Sequence, residues 1–393
     1  MNFEFFRNIA VVCAFVIIVP ISVKSQTPAA EHFDEYASLL IGKRVGLVAN
    51  HTSLVGEQHL LDILISNNIN VIKIYSPEHG FRGTAAEGEI INHSIDDKTG
   101  LSIVSLYGNN KKPNKEQLKG IDCMLFDMQD VGTRFYTYLS TMHYVMEACA
   151  ENNIQLVVLD RPNPNGFYID GPIMEKEHTS FVGMHPIPIV HGMTLGELAQ
   201  MINGEGWLAN KIKCELTVIK CHNYTHQSYY QLPVGPSPNL PNMTAIYLYP
   251  TLCLFEGTVL SVGRGTDLPF QLYGHPNYKD KKGYEYTFTP QQAKGKPKPV
   301  LNELLCYGKS FNAIAAIPKL TQNQIQLDWI IDAYKNFNPK DKFFTSFFYK
   351  LTGNASLRKQ IESGKTADEI RASWQKDLDK FKLMRQKYLL YSE

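Results

Sequence analysis

Two features of the sequence predict an α/β fold in two parts. From residue 31 to residue 203, short apolar runs rich in β-branched residues alternate with helical stretches. That alternation is the mark of parallel strands joined by crossover helices, here a Rossmann-like sheet. From about residue 204 the alternation lapses: residues 232–242 hold four prolines, and helical periodicity returns only near the end. A smaller C-terminal α/β domain over residues 204–393 is therefore expected, and the chain is long enough for two cores.

Residues 1–25 precede the first domain. Arg7 and the amino terminus are followed by an uninterrupted apolar run over 9–19, and Val23-Lys24-Ser25 closes the segment. The run is too short to span a bilayer, so it reads as a signal peptide and the mature chain as exported, periplasmic or extracellular, with no integral membrane span. The 39 basic and 38 acidic residues nearly cancel, which leaves no field to draw nucleic acid. Six cysteines lie beyond the apolar run. In an exported chain their even number permits disulfides, with Cys214 and Cys221 the nearest candidates. No CxxC or tight Cys/His spacing suggests zinc, and no metal or other cofactor is expected.

The elements follow in order. Residues 44–49 read as a strand with the polar turn Asn50-His51-Thr52-Ser53 after it, 58–67 as an amphipathic helix, and 71–75 as the next strand. Pro77 stops that strand, and Gly80 and Gly83 let the backbone turn. Glu78, His79 and Arg82 are thus crowded at a strand's carboxyl end, the edge where open α/β sheets bind ligands, with Glu89 close behind. Strands are further expected at 103–107, 123–127 and 156–160, and helices at 115–119 and 138–151. Polar clusters follow two of these strands as well: Asp127, Gln129, Arg134 and Tyr136 after one, Asp160, Arg161 and Asn163 after the other. Structural readings stand beside each, since Asp127 and Arg134 could simply pair and Tyr136 could be core. No GxGxxG follows the first strand, so the sheet does not imply a dinucleotide.

In the second part, Ser237 and Asn239 in the proline-rich segment make it either a connector or a rigid binding wall. Residues 255–272, dense in Gly, Thr and charge, read as a loop returning towards the site. The basic stretch 279–298 reads as a solvated hairpin or rim. Residues 366–391 begin Thr366-Ala367-Asp368-Glu369 in the manner of a capping box.

The runs Ser76 to Gly83, Asp127 to Tyr138, Leu159 to Asn165, His191 to Glu197, Pro236 to Asn239, Phe255 to Thr258 and Gly263 to Thr266 resemble the exo-acting β-N-acetylmuramidases, the NamZ-like family formerly of unknown function. The match runs in order over nearly the whole mature chain. The resemblance implies a glycoside hydrolase that releases terminal N-acetylmuramic acid from peptidoglycan fragments, with its active site in the cleft between two domains. Chemistry of that kind needs a proton donor for the departing oxygen and stabilisation of a cationic sugar. Glu78 fits the acid, with His79 orienting it. Glu89 or the substrate's own acetamido group would supply the second function, with Asp127 or Tyr136 steadying the acetamido. Arg134 or Arg264 would clamp the lactyl carboxylate of a muramic-acid-containing saccharide. Arg82, Gln129, Asp160, Arg161, Asn163, His191, Ser237, Asn239 and Glu256 complete the expected binding set. Two alternatives remain open: a metal-assisted hydrolase using Glu78, His79, Glu89 and His93, and a non-catalytic amino-sugar-binding protein.

Overall fold

The computed structural model describes residues 25–77, 80–81, 94–294, 296–312, 321 and 323–393. The expected signal peptide, apart from Ser25, lies outside the described residues, as do Glu78, His79, Arg82, Glu89 and His93.

The first lobe contains β1 (Val45–Ala49), β2 (Leu54–Val55), β3 (Gln58–His59), β4 (Val71–Ser76), β5 (Ser94–Ile95), β6 (Ser102–Ser105), β7 (Cys123–Asp127), β8 (Gln155–Leu159) and β9 (Leu216–Ile219). Seven of these form one sheet in the order β5-β6-β4-β1-β7-β8-β9, with every pair parallel except β5 against β6. The parallel strands run outward from β1 in both directions. This is the doubly wound arrangement, with its switch point between β1 and β7. Both faces are buried, which is why the strands are apolar without interruption. Leu47, Cys123, Leu125 and Val157 pack on one side, and Val48, Met124, Phe126 and Val158 on the other.

The helices of this lobe are α1 (Phe33–Leu40), α2 (Leu60–Ser66), α3 (Tyr138–Glu151) and α4 (Leu195–Gly204). Residues 58–59, expected to open α2, instead pair with β2 as a hairpin. Residues 115–119, expected to be helical, form turns. α4 starts with a capping box in which Thr194 accepts from the Glu197 amide and Glu197 accepts from the Thr194 amide.

Strand β9 corrects the expected domain boundary. It pairs with β8 at the edge of the first sheet, so the first lobe continues well past residue 204. It also separates Cys214 from Cys221. With a rise of roughly 3.3 Å per residue, the two cysteines flank an extended strand, and a disulfide needs Cα atoms within about 7 Å. All six cysteines among the described residues are free and buried.

The second lobe holds a three-stranded antiparallel sheet, β10 (Leu272–His275), β12 (Cys306–Ser310) and β11 (Tyr286–Phe288) in that order. Around it lie α5 (Met243–Leu252), α6 (Leu327–Asn336), α7 (Phe347–Thr352), α8 (Ser356–Glu362) and α9 (Ala367–Arg385). In α9, Ile370, Trp374, Leu378 and Phe381 recur at helical spacing and are buried, and the Thr366–Glu369 capping box is present. The lobes share one continuous apolar core that runs from Val48 to Phe381. The C-terminal tail returns to the first lobe, where the Tyr391 hydroxyl donates to Asp160 Oδ2 at 2.6 Å and the Leu390 amide to Glu197 Oε1 at 2.8 Å. No helix among the described residues is long and apolar enough to cross a membrane.

Candidate active site

A cavity of about 260 Å³ opens between the lobes. The first lobe contributes Tyr107, the run Phe135-Tyr136-Thr137-Tyr138, Phe181 and Val182 to its wall. The proline-rich segment contributes Ser237, Asn239 and Leu240, and the second lobe Tyr249, Cys253, Glu256, Arg264, Phe270, Phe347 and Leu351. Five expected residues therefore meet here: Tyr136, Ser237, Asn239, Glu256 and Arg264.

The switch-point loops fix this wall. Asn50, directly after β1, donates from Nδ2 to the Tyr138 hydroxyl at 2.7 Å. Tyr136 and Tyr138 both donate to the Pro236 carbonyl, at 2.9 and 3.3 Å, and His51 Nε2 lies 2.9 Å from the Gly235 carbonyl. The proline-rich segment is thus held in place as one wall of the cavity. Burial raises the Tyr136 phenol well above its ordinary pKa, so it stays a neutral donor. On the opposite wall, Arg264 Nε pairs with Glu256 Oε1 at 2.6 Å, and its guanidinium lies 5.0 Å from the centre of the Phe270 ring. Gly263 and Gly265 flank that arginine with φ of +81° and +79°. A Cβ on either would come within 2.5 or 2.6 Å of a main-chain carbonyl, which only glycine avoids.

Past Glu256 and Arg264 lies a second compartment of about 410 Å³, lined further by Pro238, Gly265, Gln291, Lys296 and Lys298. Tyr107, Asn239, Glu256 and Arg264 belong to both compartments. The basic stretch read as a solvated rim supplies part of this wall.

Apart from Tyr136, the polar residues expected after β7 and β8 do not line the cavity. They form a buried scaffold beneath it. Arg134 was expected to clamp a ligand carboxylate; instead its guanidinium is buried and donates to the carbonyls of Pro172, Ile187, Leu351 and Thr352. Asp127, expected to steady an acetamido group, is buried and pairs with Arg161, not Arg134, through contacts of 2.5 and 2.8 Å. Asp160 accepts from the Arg161 and Gly196 amides and from Thr194 and Tyr391, which ties β8 to α4 and the tail. Gln129 donates to the Asp130 and Pro162 carbonyls, and Asn163 to that of Met193. His191 is wholly buried and accepts from the Met193 amide through Nδ1. All seven make their contacts within the protein, away from the cavity. Glu78, His79, Arg82 and Glu89 lie outside the described residues; Ser76, two positions before Glu78, ends β4 next to β1. The aromatic members of the wall, Tyr107, Tyr249 and Phe270, escaped sequence reasoning, because an aromatic residue in an apolar run reads equally well as core.

Burial raises two scaffold carboxyls, Asp160 to about 6 and Asp130 further. Burial pushes Asp130 up to about 7 and His191 down to about 3, so the two face each other uncharged at 3.9 Å below neutral pH. A carboxyl raised in the folded state is stabilising at low pH, and that stability is lost as pH climbs from the unfolded value through about 7. Asp130→Asn should therefore gain in melting midpoint over the parent protein on going from pH 4 to pH 8. A gap between the two that does not change with pH would show that Asp130 does not titrate in this way.

Among the described residues one group has metal-ligand spacing, His32, Glu35 and His222, with ligand atoms within 4.8 Å of one another. None of the three lines either compartment.

A cavity between two α/β lobes, walled by aromatic rings and bearing hydroxyls, an amide and a carboxylate, defines a protein that takes a small polar ring such as a sugar. Residues 45–244 match the family model described as exo-β-N-acetylmuramidase NamZ, N-terminal, and residues 247–391 its C-terminal counterpart. The chain is 40% identical over 401 residues to the peptidoglycan β-N-acetylmuramidase NamZ of Bacillus subtilis strain 168, covering 94% of this chain and 92% of that one. Two crystal structures of DUF1343 family proteins from Bacteroides fragilis share the fold. One has a TM-score of 0.87 at 51% identity, covering 94% of this chain and all of the other. The second has a TM-score of 0.77 at 30% identity, covering 93% and 99%. The chain belongs to the exo-β-N-acetylmuramidase NamZ family and is a glycoside hydrolase.

Proposed function

We propose that this chain acts outside the cytoplasm in cell-wall turnover, taking a terminal N-acetylmuramic acid from a peptidoglycan fragment into the cavity between its lobes. The observation that carries the reading is the cavity itself, which has the scale of one sugar and joins a second compartment on one side. Rings from Tyr136, Tyr249 and Phe270 offer apolar faces to a pyranose, and Ser237 and Asn239 offer polar groups to its hydroxyls and acetamido. Arg264, on the shared wall, is the cation placed to meet a lactyl carboxylate. Glu78 is the proposed general acid, with His79 orienting it. The apolar run at the start of the chain supports export.

Incubation with chromogenic glycosides of N-acetylmuramic acid and N-acetylglucosamine tests this reading. Turnover of the first and little of the second is expected, and a chain that binds muramic acid without turnover would be a binding protein instead. Activity lost on chelation would favour the metal-assisted alternative. Arg264→Lys keeps the charge but loses the planar fork. It should lower the preference for the muramic glycoside by roughly 10-fold, the worth of one charge-assisted hydrogen bond. A preference left intact by Arg264→Lys would place lactyl recognition elsewhere.

A further inference from the structure

We propose that Glu256 is the carboxylate facing the anomeric carbon of the bound sugar, and that the bond is cut where the two compartments meet. The proposal rests on the functional reading above and assigns it a second charged group.

An exo-acting hydrolase must hold one terminal sugar on one side of the scissile bond and the remainder of the substrate on the other. The smaller compartment, about 260 Å³, suits the terminal ring, and the larger, about 410 Å³, suits what is attached to it. The bond between them must then cross the shared boundary, formed by Tyr107, Asn239, Glu256 and Arg264. Glu256 is the one carboxylate among the described residues lining either compartment. Its two oxygens are in different situations. Oε1 is held by Arg264 Nε at 2.6 Å, while among the described residues Oε2 meets only the Cys253 thiol, at 3.7 Å. A thiol is a weak donor at that distance, so Oε2 keeps its capacity for a stronger partner. The arginine is braced in turn by Phe270 and by the glycine-flanked turn, so the carboxylate is fixed in place before any ligand arrives.

The chemistry needs such a group. As the bond from the anomeric carbon to the departing oxygen breaks, its electron pair leaves with that oxygen, and positive charge spreads over the anomeric carbon and the ring oxygen. The departing oxygen takes a proton from the general acid. Water then bonds to the anomeric carbon and its surplus proton restores the acid. A fixed anion beside that carbon lowers the energy of the cationic stage. An anion on the far wall would contribute nothing to it.

The test uses the chromogenic muramic glycoside and the natural disaccharide with Glu256→Gln, Glu256→Asp and Glu256→Ala. For Glu256→Gln, kcat should fall ~10²–10³-fold, the usual cost of removing one preorganised electrostatic group. The loss should be equal for the two substrates, because the anion does not protonate the leaving group. Affinity for free N-acetylmuramic acid, measured by calorimetry, and the melting midpoint should stay close to the parent values. Glu256→Asp, which keeps the charge and draws it back, should be intermediate. With Glu256→Ala, added azide should raise turnover of the chromogenic glycoside at least 10-fold and give a glycosyl azide, a rescue that a merely structural residue does not show. An active parent chain with Glu256→Gln within 10-fold of it, or no azide rescue in Glu256→Ala, overturns the assignment alone. A parent chain that binds the sugar but cleaves no muramic glycoside overturns the functional reading, and the assignment with it.

Discussion

Glu78→Gln is expected to slow hydrolysis of natural peptidoglycan fragments by ~10²–10⁴-fold, the usual contribution of general acid catalysis. The substitution preserves size and hydrogen-bonding shape but removes the transferable proton. The loss should be much smaller for a chromogenic phenol glycoside, because an activated phenol departs with little protonation. The basic limb of the pH profile should flatten too, since that limb reports deprotonation of the acid. Glu89→Gln and Glu256→Gln are the comparisons, because loss of a group acting on the anomeric carbon slows both leaving groups alike. Near-normal rates for Glu78→Gln on natural fragments would remove Glu78 from the role and leave Glu89 as the candidate acid.

Arg161→Met is expected to destabilise the fold by about 3–5 kcal/mol, the cost of leaving one partner of a buried ion pair uncompensated. Arg161 and Asp127 are both almost wholly excluded from solvent, and the arginine also donates to the Leu54 carbonyl at 3.0 Å. Asp127 sits at the end of β7, and its carbonyl accepts from Ser53 at 2.5 Å, so the pair fastens the switch-point loops under the cavity. Urea denaturation measures the effect. Adding Asp127→Leu to Arg161→Met should recover much of the loss, since an apolar pair of similar volume tolerates burial where a single charge does not. A single variant as stable as the parent would mean that water reaches Asp127 in the folded state.

Much of the fold was legible in the chain. The apolar runs at residues 44–49, 71–75, 123–127 and 156–160 correspond to β1, β4, β7 and β8, because strands buried on both faces need apolar residues throughout. The capping box at Thr366 was equally plain, since a cap is made within four residues. The family was legible from motifs spread over the chain, and four of those runs, Asp127 to Tyr138, Pro236 to Asn239, Phe255 to Thr258 and Gly263 to Thr266, reach the cavity. The place of strand β9 in the first lobe is not legible in this way, because its partner β8 lies some sixty residues away, and pairing at that range leaves no local mark.

By itself, then, the sequence determined the α/β class, most of the strands of the central sheet, the family and the stretches rich in functional residue types. Only the tertiary structure decided which polar side chains face the cavity and which lie beneath it. A strand-end arginine reads the same whether it awaits a ligand or is satisfied within the protein. Arg134 Nη2 is taken up by the carbonyls of Leu351 and Thr352, 217 and 218 positions along the chain. Asp127 is neutralised by Arg161, 34 positions away. A buried polar group must find partners, and the partners that claimed these side chains were brought to them by the packing of one lobe on the other and of neighbouring strands.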